Sequence, residues 1–163
     1  MVEDTLNTEE LRGKIGIDWE PVVCNIEKGM IQRFAQAIDD PNPLWQDEEY
    51  ARRSRYGSII APPTFIQTVG WDQFEKQFQL QVAPLLSGGR LNGGVELEYY
   101  QPVRPGDTIT VITKIADVRE RQGKKMSKMV FVTFEKTYKN QTQEPIAKCR
   151  QIAIWYQIGA EHD

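Results

Sequence analysis

Asp39-Asp40-Pro41-Asn42-Pro43-Leu44-Trp45-Gln46-Asp47-Glu48 is the stretch on which the reading of this chain turns. Upstream of it, over 27–39, Met30, Ile31, Phe34, Ala37 and Ile38 fall at helical spacing on one face, which predicts an amphipathic helix. Pro41 disfavours helical geometry in the residue before it, so the Asp39-Asp40 pair sits at the helix exit. Downstream, over 47–53, the acids Asp47, Glu48 and Glu49 precede the bases Arg52 and Arg53. That order matches the helix dipole and predicts a second short helix whose charges are structural. Between the two, Asp40 and Asn42 stand beside prolines, a composition that shapes turns through side-chain to backbone hydrogen bonds. The same two side chains are also candidates for chemistry, and at this point both readings are open.

After the irregular 55–61, Pro62-Pro63 suits the opening of a helix, and Ile66, Gly70, Phe74 and Phe78 follow at intervals of four, predicting one buried central helix. Beyond Ser87-Gly88-Gly89 the period changes to two. Val95, Leu97 and Tyr99 alternate with Glu96 and Glu98, Ile109, Val111, Thr113 and Ile115 share a face, and 129–134 is apolar on both faces as in a central strand. The last run, 146–158, also reads as strand. Turns are marked by Arg104-Pro105-Gly106-Asp107, by 121–125 and by 139–143, giving about four long strands joined mainly as antiparallel hairpins. Helices first and strands second make the fold class α+β, a long central helix wrapped by a curved antiparallel sheet.

The chain of 163 residues, 40% hydrophobic and 26% charged, is the size of one domain. It reads as 1–163 with 1–19 as an N-terminal extension and 159–163 as a tail. A formal charge of −3 gives no basic field for nucleic acid. No apolar run reaches membrane-spanning length and no basic-then-apolar leader opens the chain, so the expectation is a cytoplasmic protein without a membrane partner. Cys24 and Cys149 are too few for a disulfide framework. With His162 the one histidine, a zinc site, a Cys-His pair and a Ser-His-Asp triad are disfavoured, and no metal is expected. Asn140-Gln141-Thr142 matches a glycosylation acceptor but reads as a polar hairpin turn. Gly88, Gly89, Gly93 and Gly94 match neither a phosphate loop nor a dinucleotide fingerprint.

Over 29–156 the residues resemble the MaoC-like branch of the hot-dog fold, which includes R-specific enoyl-CoA hydratases and 3-hydroxyacyl thioester dehydratases. The resemblance is carried by 34–51, where Phe34, Asp40, Asn42, Pro43, Leu44, Asp47, Tyr50 and Ala51 fall at the family's intervals. Ile60-Ala61-Pro62-Pro63-Thr64-Phe65 is similar to the start of the central helix in half domains of the family that lack catalysis. Tyr100-Gln101-Pro102-Val103-Arg104-Pro105-Gly106-Asp107-Thr108 is similar to a turn between hot-dog strands. In active relatives an aspartate and a histidine five residues later hold the water to be added. Here Asp40 matches the aspartate and Asn42 the nearby polar residue, but Trp45 stands where the histidine would be.

Hydration of an α,β-unsaturated thioester needs a base for water, an acid for the α-carbon and donors for the enolate-like oxygen. An indole N–H donates but does not titrate near neutral pH, and one proton-transfer group is worth about 10²- to 10⁴-fold in rate. The resemblance therefore implies a substrate-binding, non-catalytic subunit paired with a second MaoC-like hot-dog chain. Two alternatives stand beside it: an independent hydratase using Asp40 with Asp39, Asp47, Glu48, Tyr50 or Tyr56 as a substitute group, and a homodimeric acyl-thioester-binding or thioesterase-like protein. Candidates for substrate contact are Thr64 and Phe65, whose N–H groups follow the two prolines, Trp71 on the aromatic stripe, and Gly89 at the approach to the first long strand. The arginines 52, 53 and 55, or the lysines 124, 125 and 128, are either coenzyme A phosphate contacts or solvated surface. Trp45 is either packing or a ligand-stacking ring. No cofactor is expected beyond the coenzyme A or acyl carrier protein borne by the substrate, whose acyl group is read as long or bulky, from fatty acid or steroid side-chain metabolism.

Overall fold

The computed structural model describes residues 6–122 and 126–158. His162, the lysines 124 and 125 and the 159–163 tail lie outside the described residues, as does the start of the 1–19 extension. Helices α1 (Thr8–Arg12), α2 (Lys28–Ala37), α3 (Glu48–Arg53) and α4 (Trp71–Gln81) accompany strands β1 (Val22–Asn25), β2 (Gly89–Tyr99), β3 (Thr108–Arg121), β4 (Met126–Lys139) and β5 (Pro145–Ile158). The strands form one antiparallel sheet in the order β1-β3-β4-β5-β2. The α+β hot-dog class expected from the residues is the fold observed. β4, apolar on both faces over 129–134, occupies the middle of the sheet, as a strand buried on two sides must. The sequence reading missed β1, a four-residue edge too short to show a period, and α1, a single turn capped by Asn7.

Helix α4 lies across one face of the sheet, and aromatic rings make the contact. Phe74 meets Phe134 edge-on at 5.6 Å and stacks on Trp19 at 5.7 Å, while Phe78 stacks on Trp155 at 5.9 Å. Such pairs contribute about 0.5–1.5 kcal/mol each beyond area burial. Val82, Val130, Val132 and Ala153 complete this cluster. A second cluster, built on Ile31, Phe65, Ile66, Val111 and Tyr138, lies under α2, α3 and the segment leading into α4.

The single central helix expected from the four-residue spacing is interrupted. Residues Pro63–Thr68 form a 3-10 helix, Gly70 turns the chain with φ 74°, and α4 begins at Trp71. Helical spacing continues through the break, which is why the pattern looked continuous. The physical reasons for the break are the left-handed backbone at Gly70, which glycine adopts without strain, and close packing, since a Cβ there would lie 3.3 Å from Val111 Cγ2, tighter than most side-chain contacts.

Register shifts interrupt the sheet within the strands at Ile115/Asp117 between β3 and β4 and at Asn92/Gly94 between β2 and β5, and near the ends of the β4–β5 ladder at Met126/Lys128 and Tyr138/Lys139. The shift at Asn92/Gly94 changes the side-chain parity of the edge strand. Before it Arg90 and Asn92 share a face with Trp155 and Ala153; after it Val95, Leu97 and Tyr99 share a face with Gln151, Cys149 and Ala147. At 104–107 the Arg104 N–H donates to Asp107 Oδ2 at 2.8 Å, and the Arg104 guanidinium donates to Tyr56 O at 2.7 Å, tying the β2–β3 turn to the α3 loop. Asn140 closes the last hairpin, its Oδ1 accepting from the N–H groups of Thr142 and Glu144 at 3.0 and 2.9 Å.

Gly70→Ala places a methyl group against Val111 in a left-handed backbone, a conformation that costs an L-residue about 1–2 kcal/mol. Urea denaturation is expected to show a loss of at least that size, and an unchanged midpoint would refute the packing account of the break.

Candidate functional site

The loop that decides the fold is held by its own side chains. The Asp40 N–H donates to Ala35 O at 2.9 Å, closing α2, and Asp39 takes φ 52°, a left-handed value that aspartate tolerates. Asp40 Oδ1 accepts from the Asn42 N–H at 3.1 Å, and Asn42 Oδ1 accepts from the Leu44 N–H at 3.0 Å, capping the 3-10 turn Pro43–Trp45. Asp47 Oδ1 accepts from the N–H groups of Glu49 and Tyr50 at 2.9 and 3.0 Å and caps α3. Successive polar side chains are thus engaged with backbone. The product of this scaffold is the placement of Trp45.

Trp45 is 7% exposed, and its indole N–H has no acceptor among the described residues. Of residues 39–48 it is the one that lines a pocket of about 500 Å³, the size of a small-molecule site. Ile60, Ala61, Pro62, Pro63 and Ile66 supply one side of that pocket, and Tyr99 to Val103 with Ile146 and Ala147 the other. Its polar groups come from Tyr56, Tyr99, Tyr100, Gln101 and Arg55, whose guanidinium donates to the Tyr56 hydroxyl at 2.6 Å. A hollow of similar size, about 540 Å³, lies between β2 and β3 around Phe131 and Ile152. Of the arginines at its rim, Arg119 pairs with Asp117 at 2.6 Å, Arg150 with Glu135 at 3.9 Å, and Arg121 lies over the Phe131 ring at 5.5 Å; no residue of the 39–48 loop lines it.

The other candidates fall around the pocket. Asp40 and Asn42 build the loop and do not line the wall. Thr64 is exposed on the 3-10 helix with no backbone acceptor for its N–H, whereas the Phe65 N–H donates to Pro62 O at 2.9 Å and its ring is buried edge-on against Phe34 at 5.6 Å. Trp71 is 43% exposed and packs on Phe74 at the start of α4. Gly89 has the Tyr156 ring where a Cβ would be, which explains the glycine by packing. Arg53 is paired with Glu49, Lys128 pairs with Glu120 at 3.3 Å, and Arg52 borders a shallow hollow with Lys28 and Arg104. Among the described residues no group of three or more His, Cys, Asp or Glu side chains could hold a metal, and no helix is long and apolar enough to cross a membrane.

Lys136 escaped the sequence reading. The parity of β4 was the available signal: Val130, Val132, Phe134, Lys136 and Tyr138 alternate with outward residues, so the lysine must face the helix side. It is 4% exposed, with its ammonium 3.6 Å from the Phe74 ring centre and 5.2 Å from that of Trp71. No carboxylate pairs with it among the described residues, because Glu135 faces outward to Lys114 and Lys148 at 3.3 and 3.0 Å. Burial lowers its pKa from 10.5 to about 8, opposed by the neighbouring Cys149. Burial also raises the thiol of Cys149 and the hydroxyls of Tyr99 and Tyr138, and the Tyr138 hydroxyl has no partner among the described residues.

An antiparallel sheet carrying a helix on one face, with a pocket beside the helix's leading turn, is the hot-dog architecture that MaoC-like proteins share. The family described as "FAS1-like, dehydratase domain region" matches residues 14–149, and the chain belongs to that family. A UPF0336 protein of Streptomyces avermitilis is 33% identical over 93 residues, 57% of this chain and 62% of its own length. A probable enoyl-CoA hydratase alpha subunit of Thermomonospora curvata is 26% identical over 133 residues, 74% of this chain. This chain covers 42% of that protein, so it spans less than two thirds of either relative. A chain of the C-terminally truncated HadBC (3R-hydroxyacyl-ACP dehydratase) complex of Mycobacterium tuberculosis superposes with a TM-score of 0.72 at 20% identity, covering 86% of this chain and 96% of that one.

The buried amine predicts a pH dependence. Folded Lys136 releases its proton near pH 8 and the unfolded chain near 10.5, so between these values the unfolded state holds more protons and stability rises with pH. Lys136→Met removes the penalty. Relative to that variant, the wild type is expected to gain on the order of 3 kcal/mol across that window, measured by denaturation in paired buffers. A constant difference would show an amine already solvated.

Proposed function

We propose that this chain is the substrate-binding, non-catalytic hot-dog subunit of a two-chain acyl-thioester hydratase or 3-hydroxyacyl thioester dehydratase. The observation that carries the reading is Trp45, a buried indole lining the pocket at the position where active relatives place a titrating histidine. An indole cannot take a proton from water or return one. Asp40, the remaining half of the pair, has an oxygen engaged in shaping the loop. What is left is an apolar pocket with tyrosines and a glutamine at its edge, suited to holding a long or bulky acyl group while a partner performs proton transfer.

The architecture supports a second chain. β2 pairs with β5 on one side, leaves its other edge open, and presents exposed Leu91, Val95 and Tyr99. An open, partly apolar strand edge is a template for another strand. Two of the similar proteins support the same reading, one being named as an alpha subunit and the other belonging to a complex. The partner in this reading is a MaoC-like chain carrying both the aspartate and the histidine, the substrate is carried on coenzyme A or acyl carrier protein, and the setting is cytoplasmic.

The test is hydration of crotonyl-CoA and longer enoyl-CoA esters by the purified chain, alone and mixed with such a partner. The chain alone is expected to be at least about 10²-fold slower than the mixture. Changing the partner's histidine should abolish the mixed activity, and Asp40→Ala here should not. Full activity of the chain alone, lost on Asp40→Ala, would overturn the proposal.

A further inference from the structure

Behind the pocket wall the sheet carries polar groups that the pocket itself does not use. Tyr138, Ala147 and Tyr99 stand in one cross-strand row, and Ala147 and Tyr99 line the pocket. The next row facing the same way holds Thr113, Lys136, Cys149 and Leu97, about 7 Å along the strand at two residues' rise. Among the described residues, Tyr138 is fully buried with an unpartnered hydroxyl, and Lys136 is buried with no carboxylate paired to it. The groups around the amine are the rings of Phe74 and Trp71, the thiol of Cys149 and the hydroxyl of Thr113, none of them an acid.

A buried cation without an anion is destabilising, and a chain that only needed to fill this volume would do better with methionine or leucine. Ring faces offset part of the cost. A carboxylate would offset more, and the adjacent Tyr138 hydroxyl is a second donor on the same strand face. We propose that Lys136 and Tyr138 form the distal end of the acyl site and recognise a carboxylate carried by the acyl group, so that the preferred ligands are dicarboxylic acyl thioesters. The inference rests on the acyl-thioester reading of the pocket. Trp71, half-exposed above the amine, then covers the ligand's charged end.

The experiment is calorimetric titration of the full chain with adipoyl-, suberoyl- and sebacoyl-CoA, each against the monocarboxylic ester of equal length. A charge-assisted hydrogen bond to a buried partner predicts that one ω-carboxy ester binds about 10- to 100-fold tighter than its plain counterpart. Lys136→Met should erase that preference, and Tyr138→Phe should reduce it about tenfold or less. An ω-hydroxy ester binding as tightly as the ω-carboxy one would overturn the assignment of charge. Plain esters binding without any ω-carboxy preference would overturn this inference and leave the pocket reading standing. Failure of every thioester to bind would overturn both.

Discussion

The contact between Phe74 and Phe134 is the joint on which the molecule depends. It fixes α4 to the central strand of the sheet; Trp19 and Phe78 gather around the same two rings, and Trp155 stacks on Phe78. Because α4 is held there, the 3-10 helix Pro63–Thr68 and the Gly70 turn must deliver the chain to that point, and Pro62, Pro63 and Ile66 become pocket wall. The Lys136 ammonium sits over the same Phe74 ring. A single aromatic pair therefore joins the packing of the fold to both the pocket and the buried charge.

Residues 39–48 are shaped by their own polar side chains. Asp40, Asn42 and Asp47 each bond to nearby backbone N–H groups, and none of these bonds uses the Trp45 side chain. The loop geometry is local, while the Trp45 ring belongs to the core packed beneath it.

Much of this was legible in the residues, for identifiable reasons. Pro41 ended α2, the acid-to-base gradient over 47–53 marked α3, and period two after Gly89 gave the four long strands. All of these are short-range signals. What could not be read depends on contacts far apart in the chain. Gly70 turns the chain in a left-handed conformation close against Val111 on β3, and nothing between 63 and 81 reveals that neighbour. β1 exists because β3 offers it an edge. The pocket wall formed by Tyr99 to Val103 and Ala147 requires knowing that those residues face Trp45 across the fold. Lys136 lies between these cases: parity on β4 placed it inside, but charged residues are so rarely buried that composition argued against it.

Asn92, Gly93 and Gly94 contribute little side chain, yet they govern the chemistry of the open edge. One extra residue at the bulge reverses which side chains face the helix, so Val95, Leu97 and Tyr99 share a face with Gln151, Cys149 and Ala147, and Glu96 and Glu98 point away. Deleting a single glycine here would exchange those two sets along the rest of the strand, bringing carboxylates to the face on which Tyr99 lines the pocket. The polarity of each face of this edge is thus written as a reading frame, shifted once by a residue with no side chain of its own.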